Sequence, residues 1–490
     1  MQHVFTPTQA VVFLLVYGAL MIGTTVIVGE IQRRRGREKD MPEFLLASRG
    51  VGILLGATSI AASWIWAPAL FVSSQKAFEQ GLPGAFWFIF PNLLALLVFA
   101  PFALKVRKLL PKGFTLPQYI RERHGIGVHR LYMIQFVGLQ LCSFAVQILA
   151  GATLIHLISD LPFSIVGLIL ISIVLIYAVL GGLRASVITD YIHIITIFVI
   201  CTITIPWVIA NAGGTSAVTA GLAGMTAQFP NIFDPWIFYS FGISTTIGLL
   251  SGPIGDQMHW QRAYALKSDK DVLKTFGLAA LIFVLVPLSL STLGFVAAGK
   301  VHSGAWVIQN AQMVGPTTVS MLLPGFMLIG FTIMLLSGLC STLDSILCAM
   351  SSLIVVDIFR RPDDSNASEE QKARNLWTAR LAMIATALIG YGIASIPGLK
   401  ILHLFLFYGT LRASTLIPTV LTLLWPKLQS RGVFFAVLLS LIFGAPVLAF
   451  GEFTANPHLR VLGSLLVVTI GITCCVAISK AILRKQQLPS

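Results

Sequence analysis

The sequence has very little charge: only 11% of its 490 residues are Asp, Glu, Lys or Arg, whereas 56% are hydrophobic. A soluble globular protein carries roughly 25% charged residues, so this chain has too few to cover a water-exposed surface. Long polar stretches are scarce too. The six cysteines fall inside apolar runs, without the spacing of metal ligands or of extracellular disulfides. The sequence therefore argues against a soluble domain, a zinc site and a disulfide framework, and the cysteines are expected to be small buried hydrophobic residues.

Most of the sequence consists of long apolar runs, and its mean hydropathy is +0.87. Each run has roughly the 20 residues that cross a bilayer as a helix, and the runs lack the alternation of barrel strands. Because backbone groups in lipid must form their hydrogen bonds within the protein, these apolar runs predict an all-α polytopic membrane protein. About thirteen spans are predicted, at residues 8–29, 50–78, 83–104, 131–155, 162–182, 187–210, 236–255, 273–298, 318–350, 376–396, 400–425, 432–450 and 459–479.

The net charge of +14 is distributed unevenly between the two sets of loops. With the N-terminus outside, 28 of the 33 basic residues, Arg262 among them, fall in one set, and Arg412 lies within a span. Lys and Arg concentrate in cytoplasmic loops, so this asymmetry predicts an external N-terminus and an internal C-terminus. The basic excess then reflects topology and contact with anionic lipid, not nucleic acid. The other set of loops holds only Lys76, Lys300, Lys400 and Arg460.

The two ends of the chain bear on its class. Met1 to Gln9 has no basic residue, which predicts a retained helix instead of a signal peptide. Only about eleven residues follow the last predicted span, so a fused signalling domain is not expected. These features predict a multi-pass protein of the cell (inner) membrane, with the bilayer as partner and no obligatory protein partner.

Two predicted spans contain helix-breaking residues beside polar ones. The first stretch is Gly56–Pro68, and the second is Ser251–Trp260 with Pro253 and Gly255. Transporters place their sites at such breaks, because unwound backbone offers carbonyls and amides near the midplane. Gly and Pro are also common in membrane helices for packing alone, which is the alternative.

Ionisable residues inside membrane spans are costly and usually face a cavity or a partner. Four qualify: Asp190, Asp256, Asp344 and Arg412. For Asp190 the alternative is a charge at the membrane–water interface, near Arg184. For Asp256 the alternative is a side chain that faces a water-filled vestibule. Arg412 is expected to pair with an acidic partner, with Asp344 the first choice and Asp256 the second.

A third informative stretch places small and hydroxyl side chains on one helix face. Gly338, Ser341, Thr342 and Ser345 follow the spacing i, i+3, i+4, i+7. Hydroxyls facing the carbonyls of an unwound helix would suit a hard monovalent cation. Close packing of small residues between helices is the alternative explanation.

These residues resemble the sodium:solute symporter family, which includes sugar, proline, sialic acid and urea carriers. The resemblance rests on Gly56–Phe78, Val179–Asp190 and Ser337–Arg361, and on Asp256–Arg262, which is similar to the family pattern Asp/Asn-Gln-x-x-x-Gln-Arg. It implies one transmembrane domain over 1–490 with an inverted five-plus-five (LeuT-like) core. The first repeat would be 50–210 and the second 236–425, with an extra helix at 8–29 before them and two helices over 432–479 after them.

The resemblance also implies a sodium site. Its ligands would be the carbonyls of Ala62, Ile65 and Gly338 and the hydroxyls of Ser341 and Thr342, with Gly338 standing where relatives often have Ala. Asp190 matches an aspartate linked to a second sodium ion or to coupling. Asp344 stands beside Ser345 where relatives with that second site carry serines, so a single sodium ion remains an alternative.

The substrate is expected to be a small polar solute. The Trp64 and Trp66 stretch resembles that of the urea-carrier branch, and two indoles suit a small planar solute. Asp256 could instead take an amino or amidinium group, and Arg412 a carboxylate, so an amino-acid-like solute stays open. The candidate substrate residues are Ser63, Trp64, Trp66, Asn92, Asp256, Gln257, His259 and Arg412.

The sequence thus predicts a secondary transporter that couples sodium entry to solute uptake. An enzyme is not expected, because no catalytic or metal cluster is evident near either interface. A transporter-like membrane sensor and a passive solute channel on the same fold remain the alternatives.

Overall fold

The computed structural model of the chain describes residues 5–34, 40–359 and 368–487. Within these ranges the structure describes the backbone but not the side chain of six residues, 402, 403, 405, 406, 410 and 487. Arg360 and Arg361, which end the family-like stretch Ser337–Arg361, lie outside these ranges.

All regular elements of the described residues are helices, with no β-strand among them, which confirms the predicted all-α class. One backbone bridge joins Val51 to Leu266. Three short 3₁₀ helices cover Ala47–Arg49, Asp269–Asp271 and Ala311–Met313, and π-helical turns cover Phe238–Gly242, Leu353–Ile358, Ser440–Gly444 and Cys474–Ile478. The α-helices are α1 (Pro7–Arg34), α2 (Met41–Leu46), α3 (Ile53–Trp64), α4 (Ala67–Leu109), α5 (Leu116–His124), α6 (Ile126–Ser159), α7 (Phe163–Ala212), α8 (Thr215–Thr219), α9 (Pro235–Ile237), α10 (Ile243–Leu250), α11 (Gln257–Ala265), α12 (Val272–His302), α13 (Val314–Leu322), α14 (Gly325–Ser352), α15 (Glu369–Ala394), α16 (Ile401–Leu424), α17 (Ser430–Leu439), α18 (Ala445–Phe453), α19 (Pro457–Thr473) and α20 (Ser479–Gln487).

Nine helical stretches of the described residues are long and apolar enough to cross a membrane. Two of them, α4 with 43 residues and α7 with 50, would each be about 65–75 Å long if straight, over twice the hydrocarbon thickness. Both are interrupted, α4 at Gly81 and α7 at Gly182, so each consists of two helical segments. The count of thirteen spans and the orientation of the two ends remain predictions.

Glycine is required at both interruptions. Gly81 has φ +63° and Gly182 has φ +56°, the left-handed region that side chains with a Cβ rarely adopt. There is also no space for a larger residue. A Cβ would lie 2.3 Å from the carbonyl oxygen of Leu222 at Gly81, and 2.6 Å from that of Phe44 at Gly182.

The centre of the protein is built around α3 and α14. Every residue from Met334 to Ser352 of α14 is buried, and so is every residue from Gly56 to Trp64 of α3. A helix buried on all sides belongs to the core and not to the lipid-facing shell. These two helices carry most of the residues that the sequence assigns to ion binding.

Candidate functional site

The first predicted helix break lies between α3 and α4, at Ile65 and Trp66. Ile65 has φ −85° and ψ 70°, and Trp66 is extended. Pro68 follows closely and has no N–H with which to continue the helical ladder back to Trp64. The freed N–H of Ala67 donates instead to the side-chain oxygen of Gln147 on α6, 2.8 Å away. The break is thus held by a specific polar contact inside the protein.

The second predicted break lies between α10, which ends at Leu250, and α11, which begins at Gln257. Asp256 caps α11 by accepting from the N–H of Met258 at 3.0 Å. The two breaks adjoin, because a Cβ added at Gly252 would lie 2.4 Å from the indole of Trp64. Unwound backbone from both halves of the chain therefore meets in one buried region.

Three aromatic rings in this region surround one guanidinium group. The guanidinium carbon of Arg412 on α16 lies 5.5 Å from the ring centre of Trp64, 5.1 Å from that of Trp66 and 4.6 Å from that of Tyr408. The indoles of Trp64 and Trp66 stack with centroids 5.7 Å apart. We call Trp64, Trp66 and Tyr408 the aromatic box. A cation within about 6 Å of a ring centre is attracted by the negative ring face.

The charge of Arg412 is balanced inside the protein by Asp256. A terminal guanidinium nitrogen donates to Asp256 Oδ2 at 2.9 Å, and both side chains are at most 2% exposed. The expectation that Asp344 is the first partner is wrong, and the second choice, Asp256, is confirmed. Asp256 Oδ1 also accepts from Gln140 on α6 at 2.8 Å. The solvated vestibule considered for Asp256 is excluded by its complete burial.

Several polar atoms next to the box have no hydrogen-bond partner among the described residues. They are Trp64 Nε1, Arg412 Nε, Gln140 Oε1 and both ring nitrogens of His259. His259 packs edge-on against Trp64 with ring centres 4.9 Å apart. Buried polar groups are normally hydrogen-bonded, so each of these atoms is available to a bound molecule. The set contains both donors and acceptors.

Three other candidate substrate residues are anchored elsewhere. Ser63 donates to the Ile60 carbonyl of its own helix at 3.0 Å, and Asn92 donates to Phe88 in α4 at 2.8 Å. Gln257 donates to the carbonyl of Phe114 at 3.0 Å and to Ser352 Oγ at 3.2 Å. Trp64, Trp66, Asp256, His259 and Arg412 are brought together around the box, whereas these four bonds tie Ser63, Asn92 and Gln257 to other groups.

The residues assigned to sodium lie along α3 and the facing side of α14. The Ile65 carbonyl approaches Gly338 so closely that a Cβ there would lie 3.0 Å from it. The Ala62 carbonyl accepts from the N–H of Ile65 at 3.1 Å. On α14, Thr342 Oγ1 donates to the Gly338 carbonyl at 3.1 Å. Among the described residues, no cluster of three His, Cys, Asp or Glu side chains could hold a metal ion.

Beside this set lies a buried group that we call the carboxylate cluster: Asp190, Asp344 and Arg262. Asp190 accepts from Ser59 at 2.5 Å, from Ser341 and from Arg262 at 3.1 Å. All three members are at most 2% exposed. The interfacial alternative for Asp190 is therefore wrong. So is the placement of Arg262 in a cytoplasmic loop, because α11 carries it into the protein between α3, α7 and α14.

Asp344 joins the cluster through hydroxyl groups. Its Oδ1 accepts from Ser186 at 2.7 Å and from Ser345 at 3.2 Å. Ser345 in turn accepts from Arg262 at 2.5 Å. The structure thus brings the predicted coupling residues Asp190, Asp344 and Ser345 together, with one guanidinium for two carboxylates.

Sequence reasoning missed Tyr408, Gln140 and the buried role of Arg262. Tyr408 precedes Arg412 by four residues and so shares its helix face, a signal that was available. Gln140 carries no signal beyond being polar within an apolar run. Arg262 stands in a family-like motif, and that placement is the only indication that it is not a loop residue.

Comparison with known proteins gives consistent matches. A family model described as the sodium:solute symporter family matches residues 44–440. The urea-proton symporter of Oryza sativa subsp. japonica is 23% identical over 466 residues, and the match covers 87% of this chain and 63% of that protein. The sodium/glucose cotransporter of Vibrio parahaemolyticus is 24% identical over 466 residues, covering 87% and 83%. These relatives are transporters and not enzymes.

The fold has a counterpart among solved structures. A Na⁺-coupled sialic acid symporter, in a substrate-bound outward-open state, matches with a TM-score of 0.74 at 17% identity. The match covers 95% of this chain and 97% of that one. At this identity the likeness shows a shared fold. The present chain also spans less than two thirds of the rice protein's length.

Proposed function

The chain belongs to the sodium:solute symporter family, and from that premise we propose that it is a sodium-coupled symporter of a small, neutral, planar, nitrogen-bearing solute such as urea. The observation that carries the proposal is the guanidinium of Arg412, which is neutralised by Asp256 and enclosed by the aromatic box.

The ion pair favours a neutral solute over a charged one. A substrate carboxylate would need Arg412, and a substrate ammonium would need Asp256, but each is already bound to the other at 2.9 Å. Separating them would leave one buried charge uncompensated, which costs several kcal/mol. A neutral solute can bind beside the pair without breaking it.

The box favours a planar solute with N–H groups. Guanidinium and urea are both flat, three-armed groups whose edges carry N–H donors and whose faces stack on indoles. The unpartnered acceptor Gln140 Oε1 suits the N–H edge of such a solute. The unpartnered donors Trp64 Nε1–H and Arg412 Nε–H suit its carbonyl oxygen. Several relatives, including urea transporters of rice and yeasts, are named for urea, which supports the same choice.

The coupling ion is proposed to be sodium, held by the carbonyls of Ala62, Ile65 and Gly338 and the hydroxyls of Ser341 and Thr342. Hard cations prefer oxygen ligands. The contact between Ile65 and Gly338 supports this set, because it places carbonyls of the broken helix against the hydroxyl-bearing face of α14. Since the rice relative is named as a proton symporter, the tests below include a proton gradient.

The membrane arrangement is part of the proposal. Thirteen spans in a cell membrane, with the N-terminus out and the C-terminus in, would enclose two inverted five-helix repeats at 50–210 and 236–425. The adjoining breaks after Trp64 and before Gln257 then lead the two repeats, as expected of a site at a repeat interface.

Binding to the purified protein tests the substrate class. Urea, formamide, guanidinium, glycine and glucose would be titrated while indole fluorescence is recorded, with sodium or with potassium. We expect sodium-dependent quenching by urea and formamide, weaker responses to the charged solutes and none to glucose. In Trp64→Phe the signal should fall, whereas Trp207→Phe, at an exposed site on α7, should leave it unchanged. A preference for glycine or glucose over urea would refute the assignment.

A further inference from the structure

A groove runs between α1 and the first segment of α7, and none of the residues of the aromatic box lines it. It contains two cavities, one of about 420 Å³ and one of about 270 Å³. Ile22 of α1 lines the first and Thr25 the second, while on α7 the corresponding residues are Ile176 and Leu180. The cavities are thus about one helical turn apart on both helices. We call this feature the α1–α7 groove.

The larger cavity is the apolar end of the groove. It is lined by residues 15–22 of α1 and 165–176 of α7, with Ser172 as its one hydroxyl. Lining side chains such as Leu15 and Leu168 are about half exposed, 56% and 48%. In a membrane-spanning chain such side chains face hydrocarbon. This end therefore offers an apolar channel that is open to the bilayer.

The smaller cavity is the basic end of the groove. Arg33, Arg184 and Arg380 line it, together with the single carboxylate Glu43. Arg184 is paired with Glu43, to which it donates at 3.1 Å through one terminal nitrogen. No ion pair involves Arg380 within the described part of the chain. Arg33, among the residues that the structure describes, has its ion pair with Glu30 on the exposed surface of α1, a contact of small energy.

We infer that the α1–α7 groove binds an anionic phospholipid. One acyl chain would lie along the apolar end, and the phosphate would be held by Arg33 and Arg380 at the basic end. Arg184 is balanced by Glu43 and Arg33 by Glu30, so the three lining arginines and these two carboxylates leave the basic end with an excess of one positive charge. Basic pockets between membrane helices on the cytoplasmic side are suited to anionic headgroups, and this end lies on the side predicted to be cytoplasmic.

The dimensions agree with a lipid. From the apolar end to the basic end, the residue numbers of the lining side chains increase on both helices. The helix α1 and the first segment of α7 therefore run parallel, and the groove follows the membrane normal. From Ile22 to Arg33 the helix rises about 16 Å, close to half of the roughly 30 Å hydrocarbon core. An acyl chain in the apolar end thus places its headgroup level with the arginines.

Lipid titration of the purified, delipidated protein, read by native mass spectrometry, tests this site. Phosphatidylglycerol should bind more tightly than phosphatidylcholine. The double variant Arg33→Gln/Arg380→Gln, which leaves the pair between Arg184 and Glu43 intact, should bind phosphatidylglycerol about thirtyfold more weakly, at about 1 kcal/mol per arginine. The matched control Lys427→Gln/Arg431→Gln removes two exposed charges outside the groove and should change this affinity less than twofold.

A second experiment distinguishes binding of a lipid from binding of a free anion. Ala19→Trp, which fills the apolar end, should weaken phosphatidylglycerol binding at least tenfold, whereas Leu281→Trp on α12 should not. Glycerol phosphate, which has no acyl chain, should compete only weakly. Equal binding of the two lipids, or an affinity of the Arg33/Arg380 variant equal to that of its control, would overturn the site. Effective competition by glycerol phosphate would overturn the placement of the acyl chain.

Discussion

Arg412 on α16 donates to Asp256 at the start of α11 across 2.9 Å, and neither side chain is exposed to solvent beyond 2%. The pair fastens the second broken helix to α16. It also fixes the guanidinium inside the aromatic box. An unpaired arginine at mid-span costs about 2.5–3.5 kcal/mol on insertion scales, so Asp256 offsets a real penalty. The same contact makes the site neutral, which is the basis of the proposed substrate class.

Replacing only Arg412 should destabilise the protein more than replacing both Arg412 and Asp256 with neutral residues. Arg412→Ala leaves Asp256 buried and uncompensated, at a cost of about 3–5 kcal/mol, and should sharply lower the thermal stability of the detergent-solubilised protein. The double variant Arg412→Gln/Asp256→Asn should recover part of that loss. Asp344 provides the matched control, since its bonds are with Ser186 and Ser345. Rescue by Asp344→Asn as complete as that by Asp256→Asn would contradict the assignment.

The hydroxyls of Ser341 and Thr342 should set the sodium requirement. Replacing both with Ala removes two proposed oxygen ligands, and we expect the sodium concentration for half-maximal uptake to rise about tenfold or more. Ser351→Ala is the control, because that hydroxyl bonds to the Cys348 carbonyl of the same helix. If sodium dependence in the double variant matched that of the control, the two hydroxyls would not be ligands.

Gly338 should be sensitive to a single added methyl group. The resemblance implies that relatives often have Ala here, but in this protein a Cβ would lie 2.8 Å from Leu70 Cδ1 and 3.0 Å from the Ile65 carbonyl. The leucine side chain can shift, whereas the carbonyl belongs to the broken backbone. Gly338→Ala should therefore weaken sodium activation severalfold with little change in overall stability. Gly330→Ala, where a Cβ meets nothing within 4 Å, is the control on the same helix.

His124 on α5 should make the protein sensitive to mild acid. Burial, with a smaller contribution from Arg123, lowers the pKa of His124 to about 4. Its ring nitrogens lie 3.0 Å from Thr422 Oγ1 and 3.2 Å from Ser430 Oγ. Since the folded pKa is below the unfolded value near 6.5, the unfolded state binds more protons between these values. The contribution of His124 to the free energy of unfolding is thus complete above about pH 6.5, and it decreases as the pH is lowered toward 4.

At pH 5 this loss amounts to about 2 kcal/mol. The measurement is the thermal unfolding midpoint at pH 7.5 and pH 5, compared between the native chain and His124→Gln, whose side chain does not titrate. The acid-induced decrease should be larger for the native chain. An equal decrease in both proteins would show that His124 does not titrate on unfolding.

The sequence predicted the helical class and the two breaks, because both follow from local chemistry. It predicted only part of the group that meets at the breaks, since Tyr408 and Gln140 were missed. Apolar runs of span length can only be helices in lipid, and Pro68 stops a helix wherever the fold places it. The interruptions of α4 at Gly81 and of α7 at Gly182 fall at or beside the gaps between predicted spans, 79–82 and 183–186.

Partnerships across the protein were less predictable. The sequence offers both Asp344 and Asp256 as partners for Arg412, but a position in the sequence does not say which way a side chain points around the helix axis. Asp344 faces Ser186 on α7, and Asp256 faces Arg412 because the unwound segment 251–256 turns its side chain that way. Arg262 was assigned to a loop for a related reason. A basic residue at the end of an apolar run looks interfacial unless the packing of α11 is known.

Flux into proteoliposomes tests the central proposal most directly. Labelled urea would be supplied outside, and an inward sodium gradient, an equal potassium gradient or an inward proton gradient would be imposed. We predict that urea accumulates above its external concentration only with the sodium gradient, and that the Ser341→Ala/Thr342→Ala variant loses this accumulation. Equilibration without accumulation would indicate a passive channel, and accumulation driven by protons alone would contradict sodium coupling.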